Sequence, residues 1–113
     1  MRAYRYLVVL LFALAACATL QTPQQVINEA NTLVIVAAQQ ISEYKATGQL
    51  TQSEAQEQLD KVKKFRADAV EAQKLLDKGE SVLAVNKATA TRALIKQLQE
   101  HVAKKAREAH NVQ

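Results

Sequence analysis

Only three residues in this chain work against a continuous helix, Pro23, Gly48 and Gly79. The long stretches between them are filled with Ala, Gln, Lys and Glu, all good helix formers. Each breaker sits where a helix starts or stops. Thr22-Pro23-Gln24-Gln25 combines an N-cap threonine, a proline at the first helical position and a glutamine able to close a capping box. Leu50-Thr51-Gln52-Ser53-Glu54 repeats the pattern, with Thr51 as N-cap, Glu54 closing the box and Leu50 as a hydrophobic staple. Gly48 and Gly79 are placed to end the preceding helices in the left-handed conformation. The punctuation predicts helices over about 23–47, 52–78 and 81–109. No alternating β-branched run and no hairpin dipeptide competes with that reading.

The apolar pattern predicts how these helices pack. In the first, Ile27, Val34 and Ile41 recur at heptad spacing, alternating with Ala30, Ala37 and Tyr44 and flanked by Val26 and Leu33. The second carries Ala55, Val62, Ala69 and Leu76, with Leu59, Phe65 and Ala72 beside them. Its six basic and six acidic residues form a solvated face. The third carries Ala84, Ala88, Thr91, Ile95, Leu98, Val102 and Ala109, with Leu94 alongside. Short links force antiparallel neighbours, so the expected fold is all-α: an up-down-up three-helix bundle with helices of matched length. Alanine fills so many seam positions that each contact buries little area, and stability is expected to be modest or gained through self-association.

Ahead of the bundle, Arg2 and Arg5 precede a ten-residue apolar run, Leu7 to Ala16. That length fits the core of an export signal and falls short of the roughly 20 residues that span a bilayer. The run closes on Leu14-Ala15-Ala16-Cys17, which contains the only cysteine. This tetrapeptide resembles the lipobox of bacterial lipoproteins. The resemblance implies cleavage after residue 16 and a lipid on the Cys17 thiol, with three acyl chains in Gram-negative bacteria. The competing readings are an uncleaved span and an ordinary signal with an incidental cysteine. In that family an Asp after the cysteine retains the protein in the inner membrane; here the residue is Ala18, which points to the periplasmic face of the outer membrane.

Removal of residues 1–16 leaves 97, enough for one small domain, and lowers the net charge from +4 to +2. A thiol consumed in a thioether leaves no disulfide to brace it. Four residues separate Cys17 from Thr22, a reach of about 14 Å, so the bundle stands close to the membrane. Up-down-up topology then puts the Gly79 turn near the bilayer and the Gly48 turn and C-terminus far from it. Around Gly79, Leu75, Leu76, Val82, Leu83 and Val85 either close the core or dip into lipid headgroups. At the far end, Lys96, Lys104, Lys105 and Arg107 form a basic tip that either matches the helix dipole or meets an anionic wall polymer or protein.

The run Leu33 to Ala38 is apolar all round, leaving Ile35 and Val36 off the seam. Either the third helix wraps over them or they form a partner patch. No catalytic constellation or phosphate loop is recognisable. His101 and His110 lie nine apart and do not share a helical face, so no metal site is expected. Lys61, Lys63, Lys64 and Arg66 alternate with acids behind an export signal, which argues against nucleic acid. No cofactor is implied beyond the covalent lipid.

Two functions are compatible with this. The first is an envelope lipoprotein acting through contacts with an envelope protein or the wall, with self-association as a further contact. The second is an inhibitor or immunity-type module, or a binder of a small apolar molecule. The murein-linked major lipoprotein is a neighbouring comparison, but that family ends in a wall-bonded lysine. This sequence ends Asn111-Val112-Gln113, so covalent wall attachment is not expected.

Overall fold

A computed structural model describes residues 21–112. It holds three helices, α1 Pro23–Ala46, α2 Gln52–Asp77 and α3 Ser81–Val112, each packed against the other two. Both expected capping boxes are formed. The Thr22 hydroxyl accepts from the Gln25 amide at 3.2 Å while Gln25 Oε1 accepts from the Thr22 amide at 2.9 Å. Thr51 and Glu54 exchange the equivalent bonds at 3.1 and 3.0 Å. Leu50, just outside the second cap, is buried in the same cluster as Ala55.

The two helix stops are Schellman turns. Gln49 N–H donates to Tyr44 O at 2.8 Å and Gly48 N–H to Lys45 O at 3.1 Å, with Gly48 at φ +77°. At the second stop, Glu80 N–H donates to Leu75 O and Gly79 N–H to Leu76 O, both at 2.9 Å, with Gly79 at φ +83°. No atom lies within 4 Å of a Cβ built on either glycine, so it is the backbone conformation that selects glycine there, not crowding.

Polar rungs fix the topology. Gln24 and Gln73 exchange amide hydrogen bonds at 2.7 and 3.1 Å, joining the start of α1 to the end of α2. Arg92 meets Glu29 at 2.8 Å and Gln99 meets Gln40 at 3.1 Å, so α3 runs parallel to α1. Lys87 meets Glu71 and Lys105 meets Glu54, so α3 runs antiparallel to α2. The bundle is therefore up-down-up. Its helices are not matched, having 24, 26 and 32 residues, or about 36, 39 and 48 Å at 1.5 Å per residue. No glycine or proline follows Gly79 to stop α3 near residue 109. Among the described residues no helix is long and apolar enough to cross a membrane.

The seam follows the heptads with definite exceptions. Buried are Val26, Ile27, Ala30, Val34, Ala37 and Ile41 of α1, Ala55, Val62, Ala69 and Ala72 of α2, and Ala84, Ala88, Thr91, Ile95, Leu98, Val102 and Ala106 of α3. Tyr44, Phe65 and Leu76 are half-buried, covering the edges of the core. Leu94, expected beside the seam, is exposed, because one residue before Ile95 means a rotation of about 100° out of the interface. Gln58, a polar residue on the buried face, is 2% exposed, and its Oε1 has no hydrogen-bond partner.

The core falls into two clusters. One, around Val34, Ile41, Leu50, Val62, Ile95, Leu98 and Val102, is built mainly of branched aliphatics, with Ala37 and Ala55 among them. The other, beside the Gly79 turn, sets Val26 and Ile27 against three alanines, Ala72, Ala84 and Ala88, with half-buried Leu75 and Leu76 at its edge. Buried Ala30, Gln58, Ala69, Thr91 and Ala106 belong to neither cluster.

Because apolar area sets most of the stabilisation, the alanine end opens more easily than the aliphatic end. Native-state hydrogen exchange is expected to be faster at Ala84 and Ala88 than at Ile95 and Val102; equal protection would show a core that opens as one unit. Truncation at the stronger end, Ile95→Ala, should cost about 2–5 kcal/mol in denaturant unfolding. Gln58→Leu should raise stability by about 1 kcal/mol, since it removes an unpaired buried carbonyl.

Candidate functional site

The expected anchor residues Leu14, Ala15, Ala16 and Cys17 lie outside the described residues. What the structure does place is the surface of the bundle, where two regions stand out: the flanks of α1 around Ile35 and Val36, and the charged positions along α3.

Ile35 and Val36 are 59% and 36% exposed. The third helix does not wrap over Ile35. It lies against the flank of α1 that carries Glu29 and Gln40, whereas Ile35 is on the flank facing α2. About 100° of helical rotation separates the two residues, so they point to different sides of the bundle. Ile35 lines a groove of about 680 Å³ between α1 and α2, open to solvent along one side. Its apolar lining is Val34, Ala38, Leu59 and Val62 together with Ile35, the most exposed of the five. Asn31, Gln39 and Gln56 supply amides at the margins, and Lys63 and Arg66 place two cations on the α2 side. Val36 is not part of it. An apolar lining with amide and cationic margins suits an apolar segment that carries hydrogen-bonding or acidic groups along its edges.

The basic positions of α3 do not gather at one tip. Lys96 lies eight residues before Lys104, about 12 Å lower along the helix. Lys105 turns inward to Glu54 of α2 at 3.6 Å, joining the capping box at the start of that helix. Lys104 and Arg107 remain on the exposed surface near the end of α3. A grouping of four cations thus becomes a pair, with one residue drawn into an ion pair and another left at mid-height.

Among the described residues, three charge pairs set the electrostatics. The Thr51 amide, with the Thr51 hydroxyl and the Lys105 ammonium behind it, holds the Glu54 carboxyl below its ordinary range. Hydrogen bonding and charge from Lys87 hold Glu71 low, and Glu71 in turn raises Lys87. Arg92 pairs with Glu29 through Nη2 while its Nε is buried without a partner. All of these join helices to one another. Sequence periodicity could not reveal them, because each depends on which helix lies beside which.

Among the described residues, no group of three His, Cys, Asp or Glu side chains is arranged to hold a metal, and His101 is exposed. Comparison with protein families, characterised proteins and solved structures finds no match to this chain.

The carboxylate shifts fix a direction for the pH dependence. A lowered folded-state value means stability that is present above the unfolded value of 4.5 and lost as pH falls through the folded one. Thermal melting of Glu54→Gln should therefore fall below that of the parent chain at neutral pH, and the gap should close on acidification below 4.5. A gap that persists in acid would assign the loss to something other than the carboxylate charge, since a glutamine at this position can still close the capping box, as Gln25 does. The raised Lys87 acts oppositely: its contribution is present at neutral pH and disappears as pH rises through its folded value.

Proposed function

We propose that this protein is an exported lipoprotein, held on the periplasmic face of the outer membrane by acyl chains on Cys17, whose helical bundle works by binding another envelope protein. The anchor rests on Leu14-Ala15-Ala16-Cys17 behind a ten-residue apolar run. The observation that carries the binding role is the groove at Ile35, an aliphatic lining left uncovered between α1 and α2. Burying Ile35 and Leu59 under a partner removes apolar surface from water, while Lys63 and Arg66 select for acidic residues at the partner's edge. The groove is open on one side, which favours a helix or strand laid along it over a small molecule enclosed within it.

Two measurements test the two halves separately. Intact mass of protein extracted from the membranes of a Gram-negative host should show loss of residues 1–16 and fatty acylation of Cys17. A bare thiol or a retained leader removes the anchor. For the groove, a photo-reactive residue at Gln39 should cross-link a defined envelope protein, and Ile35→Asp should abolish that product without lowering the melting temperature. Val36→Asp, on the other flank, should leave it intact. Equal cross-linking in all three chains would rule the groove out as the contact.

A further inference from the structure

The end of the bundle that carries the Gly79 turn exposes two large aliphatic side chains, Val82 at 72% and Leu83 at 55%, in the first turn of α3. Leu75, Leu76 and Val85 beside them are half-buried, so these two are the exposed large aliphatics of that end. The same end carries the N-cap of α1. Gln24 bonded to Gln73 sets the start of α1 at the level of the last turn of α2, and Ser81 follows that turn by way of Gly79 and Glu80. Thr22, from which the chain leads back to Cys17, and Val82 and Leu83 therefore share one face of the molecule.

We infer that Val82 and Leu83 insert into the acyl and headgroup boundary of the bilayer that holds Cys17, seating the bundle end-on at the membrane. The inference rests on acylation of Cys17. The four residues between Cys17 and Thr22 reach no more than about 14 Å, so the tether keeps this end at the surface. Two aliphatic side chains are far too little for a stable contact between free partners, which needs about 1,000 Å². Once the anchor makes the encounter intramolecular, a contact of that size is populated. Lys74 and Lys78 stand at this end, but Asp77 and Glu80 offset them, so apolar insertion and not attraction to anionic lipid carries the seating.

The test uses the acylated chain in vesicles of phosphatidylethanolamine with a minority of phosphatidylglycerol. With Cys17 consumed by lipid, Leu83→Cys supplies a single thiol for a fluorophore quenched by brominated acyl chains. Lys104→Cys serves as the distal control. Quenching several-fold stronger at position 83 than at position 104 is expected, together with an unchanged melting temperature for both labelled chains. Equal quenching with Cys17 acylated overturns the seating and leaves the anchor standing. Self-quenching between copies at position 83, with no bromine effect, overturns it in favour of a second copy. An intact mass that shows bare Cys17 overturns anchor and seating together.

Discussion

Two glycines in the left-handed conformation decide where everything else in this molecule stands. Each lets the chain reverse within a few residues while the last carbonyls of the preceding helix keep their hydrogen bonds, through the paired closures at Tyr44 and Lys45 and at Leu75 and Leu76. Any other residue at those positions carries a left-handed penalty of about 1–2 kcal/mol, and since neither site is crowded that penalty is purely conformational. Reversals this short leave no freedom in which helices are neighbours. They also put the α1 cap and the first turn of α3 at one end, so the chain enters the bundle beside Val82 and Leu83.

Between those ends the bundle is held by a seam in which alanine occupies many of the buried positions. Alanine lets helices approach closely but removes little apolar area from water, so the seam sets the spacing more than it stabilises. The interhelical polar contacts take on the task of registration. Amide pairs at Gln24 with Gln73 and Gln99 with Gln40, and ion pairs at Glu29 with Arg92 and Glu71 with Lys87, oppose the axial sliding that small side chains would permit. Each is exposed or half-exposed and adds little stability. Their geometry discriminates between registers because a shift of one helical turn would break several at once.

What could be seen in advance divides along the same line. Caps, stops and heptads are local, and Thr22, Thr51, Gly48 and Gly79 announce themselves by residue type. Gln58 was hidden by its chemistry: it lies on the 3-4 spacing between Ala55 and Val62, yet a polar side chain there reads as surface. Ala106 was hidden by its size, since a step of four from Val102 is as good as the seven that leads to Ala109. The fate of Ile35 and Val36 was not legible at all. Periodicity says that both lie off the seam, but which groove of α1 receives α3 is a property of the handedness of the bundle. That choice leaves Ile35 over an open groove and sends Val36 to the opposite flank. Likewise nothing local says that Lys105 is within reach of Glu54 while Lys104 is not.

The distribution of large aliphatic side chains gives the last step. A chain selected only to hold three helices together would place its valines, leucines and isoleucines at Ala69, Ala72, Ala84 and Ala88 and leave alanine outside. Here alanine is inside at the Gly79 end, while Val82 and Leu83 are outside within one turn of it. Single exposed aliphatics are ordinary on any protein surface. A pair at the end that carries the α1 N-cap, and Ile35 over a groove midway along α1, put exposed aliphatics on two separate surfaces of the bundle. The core of such a bundle need only be stiff enough to present those surfaces, and two Schellman stops, two capping boxes and a ladder of polar rungs supply that stiffness without a large hydrophobic interior.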